Sequence, residues 1–372
     1  MQSPKSVSSG NPQNLIALLL LDVQYLRDVA RMFQARSTYR VAQGNIDGAI
    51  EDKLTSMRFG RLVPQGGCMV QHLVGIAIEV GGIAIPVGAN PEHPLTEQQI
   101  RRLLDGIDAL PPRVPLNDVF EWERYSGLST AQETVKGRIS LFDIGSLTKA
   151  SPLERAALSS CDWNVIYRRV NEVYDAMQEP SPKTKFHSLI PAPGRMFTAG
   201  KVTGLSNSNA RGHFAADLLI TLCIPEVDAM EEAVLRSECA ENLQRLSLAV
   251  LLYQCENGKL PDENWAAQIE KYLGENPKQH FSCPSNPSPE GQTTYAMMQY
   301  GDKVDSRNVL MFVELTAPVP LDKAVVSVDD VLNRRNTGSL HPGGMVTSYY
   351  STTVRFISNT VNDEELRRLL GQ

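Results

Sequence analysis

Leu15, Leu18, Leu19, Val23, Leu26, Val29 and Ala30 recur three or four positions apart. That period predicts an amphipathic helix. The same rhythm continues, so residues 14–135 read as helices joined by short turns. Residues 67–89 form the most apolar stretch. Glu79, Gly75, Gly81, Gly82 and Pro86 interrupt it, which predicts a buried helix with His72 on its apolar face. Thr96 stands as N-cap to a helix with Ile100, Leu103, Leu104 and Ile107 inward. Pro111, Pro112 and Pro115 stop that helix, and 117–135 turns helical again. The pattern weakens over 136–152. It returns over 153–177, where Trp163, Ile166, Tyr167, Val170, Val173 and Tyr174 share one face.

Residues 178–212 are rich in Pro, Gly, Ser, Thr and Lys and read as a linker. Further on, Leu243, Leu246, Val250 and Tyr253 make one stripe of a helix that ends at Asn257-Gly258, a glycine C-cap. Strand candidates follow at 293–300, 308–315, 324–328, 345–350 and 353–358. Val309, Met311 and Val313 alternate as a half-buried strand should. Asn362 caps a short last helix. The fold class expected is α+β, with an N-terminal all-α helical-hairpin domain and then a long helix on an antiparallel β-sheet. The divisions expected are a disordered leader 1–13, a helical-repeat-like domain 14–177, a linker 178–212 and an α+β domain 213–372.

Composition narrows the function classes. Of 372 residues, 42% are hydrophobic and 21% charged, which is a globular balance. The net charge of −6 argues against a nucleic acid partner. The leader lacks the apolar run of a signal peptide, and no apolar run reaches the roughly 20 residues of a membrane span. Membrane association is therefore expected only through an anchor missing from this chain or through a partner.

Little chemistry is announced by motif. Six cysteines are scattered without a C-x-x-C pair, so neither a zinc knuckle nor a thioredoxin-type site is indicated. A phosphate loop, a serine nucleophile elbow and an H-E-x-x-H pair are all lacking. His341 with Asp302, Asp305 or Glu314 could make a metal or acid–base cluster, but the plainer reading is a loop histidine supporting a hairpin. Asp329-Asp330 reads as a solvated turn. No catalytic residue, metal ligand or cofactor is assigned.

Two resemblances add to this. Tyr39, Ala42, Gly44 and Ala49 stand where a tetratricopeptide-like hairpin puts its packing residues. Gly44 would end one helix, Asp47 would cap the next, and Ala49 would let the two approach. Lys53 and Arg61 depart from that repeat, which prefers an aromatic and a proline there. The likeness is one hairpin long.

The second covers residues 225–358. Cys239, Asn242, Leu243, Leu246, Ala249, Tyr253, Asn257, Gly258 and Pro261 fill a spaced helix motif, followed by Trp265 and Tyr272-Leu273. Phe281-Ser282-Cys283-Pro284-Ser285, Tyr295-Ala296-Met297 and His341-Pro342-Gly343-Gly344 continue it. These residues resemble the type II secretion pseudopilin-like proteins with the prepilin-type H-x9-DG processing-associated domain. Ser351-Thr352 stand where that pattern has Asp-Gly, a pair suited to a tight hairpin. The hairpin is expected to survive with a different turn. Upstream, Asp162-Trp163-Asn164 and Asn171 with Tyr174-Asp175 are similar to the N-terminal halves of large bacterial envelope proteins that end in pilin-like modules.

The resemblance implies a pilin-like long helix on a sheet and a place in the cell envelope, periplasmic or membrane-associated, with the cytoplasm as the alternative. It implies a non-enzymatic role through protein partners, linked to a secretion or pilus-like system. The matching segment is internal, so processing as an ordinary pilin subunit is not expected. Cys239 and Cys283 both occupy family positions, and the resemblance raises a disulfide between them, with Cys255 as a competing partner and buried thiols as the alternative. An enzyme with a pocket between the two domains, built on His341 or His187, is the second functional reading.

Overall fold

A computed structural model describes residues 15–65, 67–136, 160–178, 207–300 and 308–371. The leader, nearly all of the expected linker, His187, Asp302 and Asp305 lie outside the described residues. The chain is α+β.

Helices come first: α1 (Leu15–Ala42), α2 (Ile46–Leu62), α3 (Met69–Ile83), α4 (Glu97–Asp108), α5 (Leu116–Val135) and α6 (Trp163–Met177). Then α7 (Ser208–Asn257) runs for 50 residues, so its first turn lies well upstream of Pro225. A short α8 (Trp265–Ile269) precedes five strands: β1 (Gln292–Gln299), β2 (Leu310–Pro320), β3 (Val325–Ser327), β4 (Gly344–Tyr349) and β5 (Val354–Ser358). The short helices α9 (Val328–Leu332) and α10 (Asp363–Leu369) complete the described chain.

Local chemistry explains the boundaries. Thr96 and Gln99 form a full capping box on α4, whose four predicted inward residues are all buried. Gly258 closes α7 at φ +71° and donates its N–H to the carbonyl of Gln254, the left-handed cap that glycine allows without strain. At the α1–α2 corner Gly44 does the same, but Asn45 is the N-cap of α2, not Asp47. Asn45 precedes the first helical residue, so only its oxygen can reach the N–H of Gly48. The hairpin also packs differently from the tetratricopeptide-like expectation. Ala49 is fully buried, yet Tyr39 is 65% exposed and Ala42 is exposed. Ser37 and Val41 hold the inward face instead.

The sheet order is β3-β1-β2-β4-β5. All pairings are antiparallel except β1–β3, which is parallel. The sheet is therefore mixed, not antiparallel throughout, because the chain between β2 and β3 passes across the sheet to reach its far edge. Both faces of its centre are covered. On one, Leu243, Leu246 and Val250 of α7 share a core with Tyr295, Met311, Phe312 and Val346. On the other, Ala296, Met298, Leu310, Val313 and Leu315 pack with Val331 of α9 and Leu366 of α10. The alternation of Val309, Met311 and Val313 therefore fails. A register shift between Leu310 and Phe312 puts Val309 and Met311 on one face and Val313 on the other.

Two compact units emerge, and neither is continuous in sequence. One takes the described residues up to Tyr25, Gln65–His72 and Val114–Ala229. In it Arg124 of α5 holds Asn171 and Asp175 of α6, and Arg169 holds Asp217. The other takes Leu26–Pro64, Leu73–Arg113 and Met230–Gln372. Residues 26–64 and 73–113, read from sequence with the domain 14–177, thus pack with the sheet-bearing part. The reason is apolar: Ile50, Leu54, Leu103 and Ile107 join Leu243, Leu246 and Trp265 in one core.

Candidate functional site

Four side chains with metal-ligating or nucleophilic atoms meet between α7 and the sheet: Cys239, Cys283, Glu314 and His341. Each arrives on a different piece of backbone. Cys239 lies on α7, on the face that carries Leu243 and Leu246 into the core. Glu314 lies on β2 opposite Tyr295 of β1, where the pleat turns it toward α7. Cys283 sits in the loop after the 3-10 turn Pro277–Phe281, and its N–H donates to Thr294 Oγ1 at 2.7 Å. His341 opens the loop into β4. Gly343 at φ +84° makes that turn feasible, and a Cβ on Gly344 would lie 2.2 Å from the carbonyl oxygen of Ile357.

The four ligating atoms all lie within 4.8 Å of one another. The Cys239 thiol donates to Glu314 Oε1 at 3.0 Å. Cys283 Sγ is 3.3 Å from Nε2 of His341, and that nitrogen is 3.5 Å from Glu314 Oε1. All four residues are no more than 2% exposed.

A second ring of contacts fixes their directions. Nδ1 of His341 donates to Glu232 Oε1 at 2.9 Å and lies 3.2 Å from Ser285 Oγ. Glu232 stands seven residues before Cys239, two turns up α7 and so on the same face. Glu314 Oε2 accepts the N–H of Val346 at 2.6 Å, and the Tyr295 hydroxyl donates to Cys239 Sγ at 3.3 Å. The Glu232 contact keeps the proton of a neutral imidazole on Nδ1. The lone pair of Nε2 then faces the two sulfurs and Glu314.

Enclosure and crowding perturb every group. The adjoining Cys239 thiol is the largest influence on Cys283 and, with His341 and Glu314, pulls its pKa down to about 4. Burial pushes Glu314 up to about 8, with the Cys283 charge adding to it. Burial likewise drives Cys239 well above the ordinary thiol range. Burial works against the imidazolium of His341, but Cys283, Glu314 and Glu232 outweigh it and raise its pKa. Such a set can ligate a metal ion, hold a thiolate beside an imidazolium, or form a disulfide. In this structure Cys239 and Cys283 are free thiols, not a bridge.

Neither a family model, nor a curated protein, nor a solved structure matches this chain.

The residues singled out in the sequence divide into two groups. Leu243, Leu246 and Trp265 are fully buried, and Trp265 Nε1–H donates to the carbonyl of Ala324 at 2.7 Å. Tyr253 packs at the margin of the same core, and Pro261 is buried. Asn242 donates to the carbonyl of Ser282 and pairs with Nδ1 of His280, tying α7 to the loop that carries Cys283 and the half-buried Pro284. Asn257 donates to the carbonyl of Tyr253 beside the Gly258 cap. All of these shape the fold. His341, Gly343, Cys239 and Cys283 instead build the cluster.

The plainer reading of His341, a loop residue supporting a hairpin, is thus incomplete. Of the three acidic partners considered for it, Glu314 lies beside it, and Asp302 and Asp305 fall outside the described residues. Sequence reasoning raised Cys239 with Cys283, and His341 with Glu314, as separate pairs. It missed that the pairs coincide, and it missed Glu232. The signal was there in the helix period, since positions 232 and 239 share one face.

Proposed function

We propose that the chain is a non-enzymatic cell-envelope protein that works through protein–protein contacts. Its C-terminal part is a pilin-like module, and its setting is a type II secretion or pilus-like system. The observation that carries the contact role is the outward face of α1. Met32 and Tyr39 stand seven residues apart and are 63% and 65% exposed. Large apolar side chains held in water at helical spacing are a usual mark of a contact face. The envelope setting rests on the pseudopilin-like pattern of residues 225–358, and α7 against a sheet agrees with that reading.

Two experiments in the native host test it. A photo-crosslinking residue at Tyr39 is expected to capture a secretion or pilus subunit, and one at the exposed Asp105 is not. Equal capture at both positions, or none, removes the contact role. Cys255 is exposed, so a membrane-impermeant maleimide is expected to label it in cells whose outer membrane alone has been opened. Labelling only after full lysis would move the protein to the cytoplasm.

The second reading, an enzyme, has one observation in its favour. Cys283, His341 and Glu232 line up as nucleophile, base and orienting carboxylate. Against it, Cys283 is 1% exposed, and none of the clefts at Pro86–Arg368, Leu54–Gly106 or Val331–Leu366 is lined by it. Alkylation by iodoacetamide at neutral pH separates the two. A working nucleophile reacts faster than Cys255, and an enclosed thiol reacts far more slowly.

A further inference from the structure

We propose that Cys239, Cys283, Glu314 and His341 form a closed, tetrahedral zinc site that ties α7 to the sheet and to two loops. The inference stands on the geometry of the cluster and is independent of the envelope reading.

The distances suit the ion. Zinc bonds run about 2.3 Å to sulfur and about 2.0–2.2 Å to nitrogen or oxygen. A tetrahedron with such bonds has edges of roughly 3.3–3.8 Å. Three of the edges, Cys239–Glu314, Cys283–His341 and His341–Glu314, are 3.0, 3.3 and 3.5 Å, and no separation exceeds 4.8 Å. The widest separation thus exceeds the longest tetrahedral edge by no more than about 1 Å.

The donor set selects the ion class. Two thiolates and an imidazole favour zinc over calcium or magnesium, which take oxygen ligands. Four protein ligands, all buried, leave no open position, so the site is structural and not catalytic.

The surroundings are those of a ligand set. Nδ1 of His341 is held by the Glu232 carboxylate, the carboxylate–histidine–metal relay that fixes a metal-bound imidazole. The second oxygen of Glu314 is taken by Val346 N–H, which leaves Oε1 facing the sulfurs. Tyr295 donates to Cys239 Sγ, as an outer-shell group does to a ligated thiolate. Gathering two thiols, a carboxylate and an imidazole into one apolar enclosure is costly without a compensating charge. A divalent cation supplies that charge. On binding, any proton carried by the two sulfurs, the Glu314 carboxyl or Nε2 of His341 would pass to solvent, and two sulfur–zinc, one oxygen–zinc and one nitrogen–zinc bond would form.

The test uses the full chain, purified under reduction, with zinc and cobalt ions as probes. One zinc per chain is expected, held against a chromophoric chelator and raising the melting temperature. Cobalt is expected to give thiolate charge-transfer bands and the intense visible bands of a tetrahedral centre. Cys239→Ser with Cys283→Ser should abolish both signals. Should that variant fail to fold, the cobalt spectrum of the unaltered chain decides alone. Cobalt bound without thiolate bands, or zinc uptake no greater than that of a chain with its thiols alkylated after unfolding, would overturn the proposal.

Discussion

Glu232 accepts a hydrogen bond from Nδ1 of His341 at 2.9 Å, although the two residues are 109 positions apart. The contact sets which imidazole nitrogen is free to ligate. Glu232→Gln keeps the size of the side chain and removes its charge. Zinc affinity is expected to fall about 10–100-fold, with the fold and the cobalt band pattern retained. Competition with a chelator measures it. An unchanged affinity would mean that His341 is oriented by Ser285 or by its loop alone.

Lys53 is fully buried and its ammonium donates to the carbonyls of Gly82, Ile83 and Ile85 at 3.1, 2.6 and 3.0 Å. It caps the C-terminal end of α3, where carbonyls have no helical partners. Burial lowers its pKa from 10.5 to about 7. Between those values the unfolded chain binds more protons than the folded one, so stability rises with pH across that window. Urea unfolding at pH 7, 8 and 9 is expected to show the rise. Lys53→Met should lose that pH dependence, and a slope unchanged by the substitution would contradict the assignment.

Arg61 on α2 joins Glu79 of α3 at 2.9 Å and also pairs with Glu241 of α7. Arg113 bridges the same two carboxylates at 2.8 Å each. The cluster fastens α2 and α3 to α7. Arg61→Met leaves two buried carboxylates with one guanidinium fewer between them and is expected to cost about 3–5 kcal/mol. Denaturant unfolding of the single variant measures it. A cost below about 1 kcal/mol would make the cluster an ordinary surface-type pair.

Thr352 sits at φ +64° in the turn between β4 and β5, fully buried, with its hydroxyl unpartnered. A β-branched residue is strained there. The pseudopilin-like pattern has glycine at this place. Thr352→Gly relieves strain of about 1–3 kcal/mol, less about 0.5–1 kcal/mol for glycine's greater freedom when unfolded. A net gain of about 1 kcal/mol is expected in thermal or urea unfolding, with none for Thr352→Ala.

Much of the fold could be read along the chain because its signals are local. The capping box of Thr96 and Gln99, the glycine stop at Gly258 and the stripe of Leu243, Leu246 and Val250 each need only a few neighbouring residues. The parallel β1–β3 pairing and the shift at Leu310–Phe312 were not legible, since pairing order depends on distant backbone. The same holds for Tyr39, whose side chain points outward because Ser37 and Val41 take the buried face of the hairpin. The cluster was half legible. Cys239 and Glu314 are 75 residues apart, and Cys283 and His341 are 58 apart. A site assembled from a helix, a strand and two loops leaves no fixed spacing for a motif to capture.

Native mass spectrometry of the chain isolated from its own host, without reductant or added metal, reads the state of the four-residue cluster. A folded species heavier than the polypeptide by one zinc ion is expected, with the zinc lost on acid unfolding. A metal-free species two hydrogens lighter, with Cys239 and Cys283 linked, would contradict it, and so would a metal-free chain with all its thiols intact.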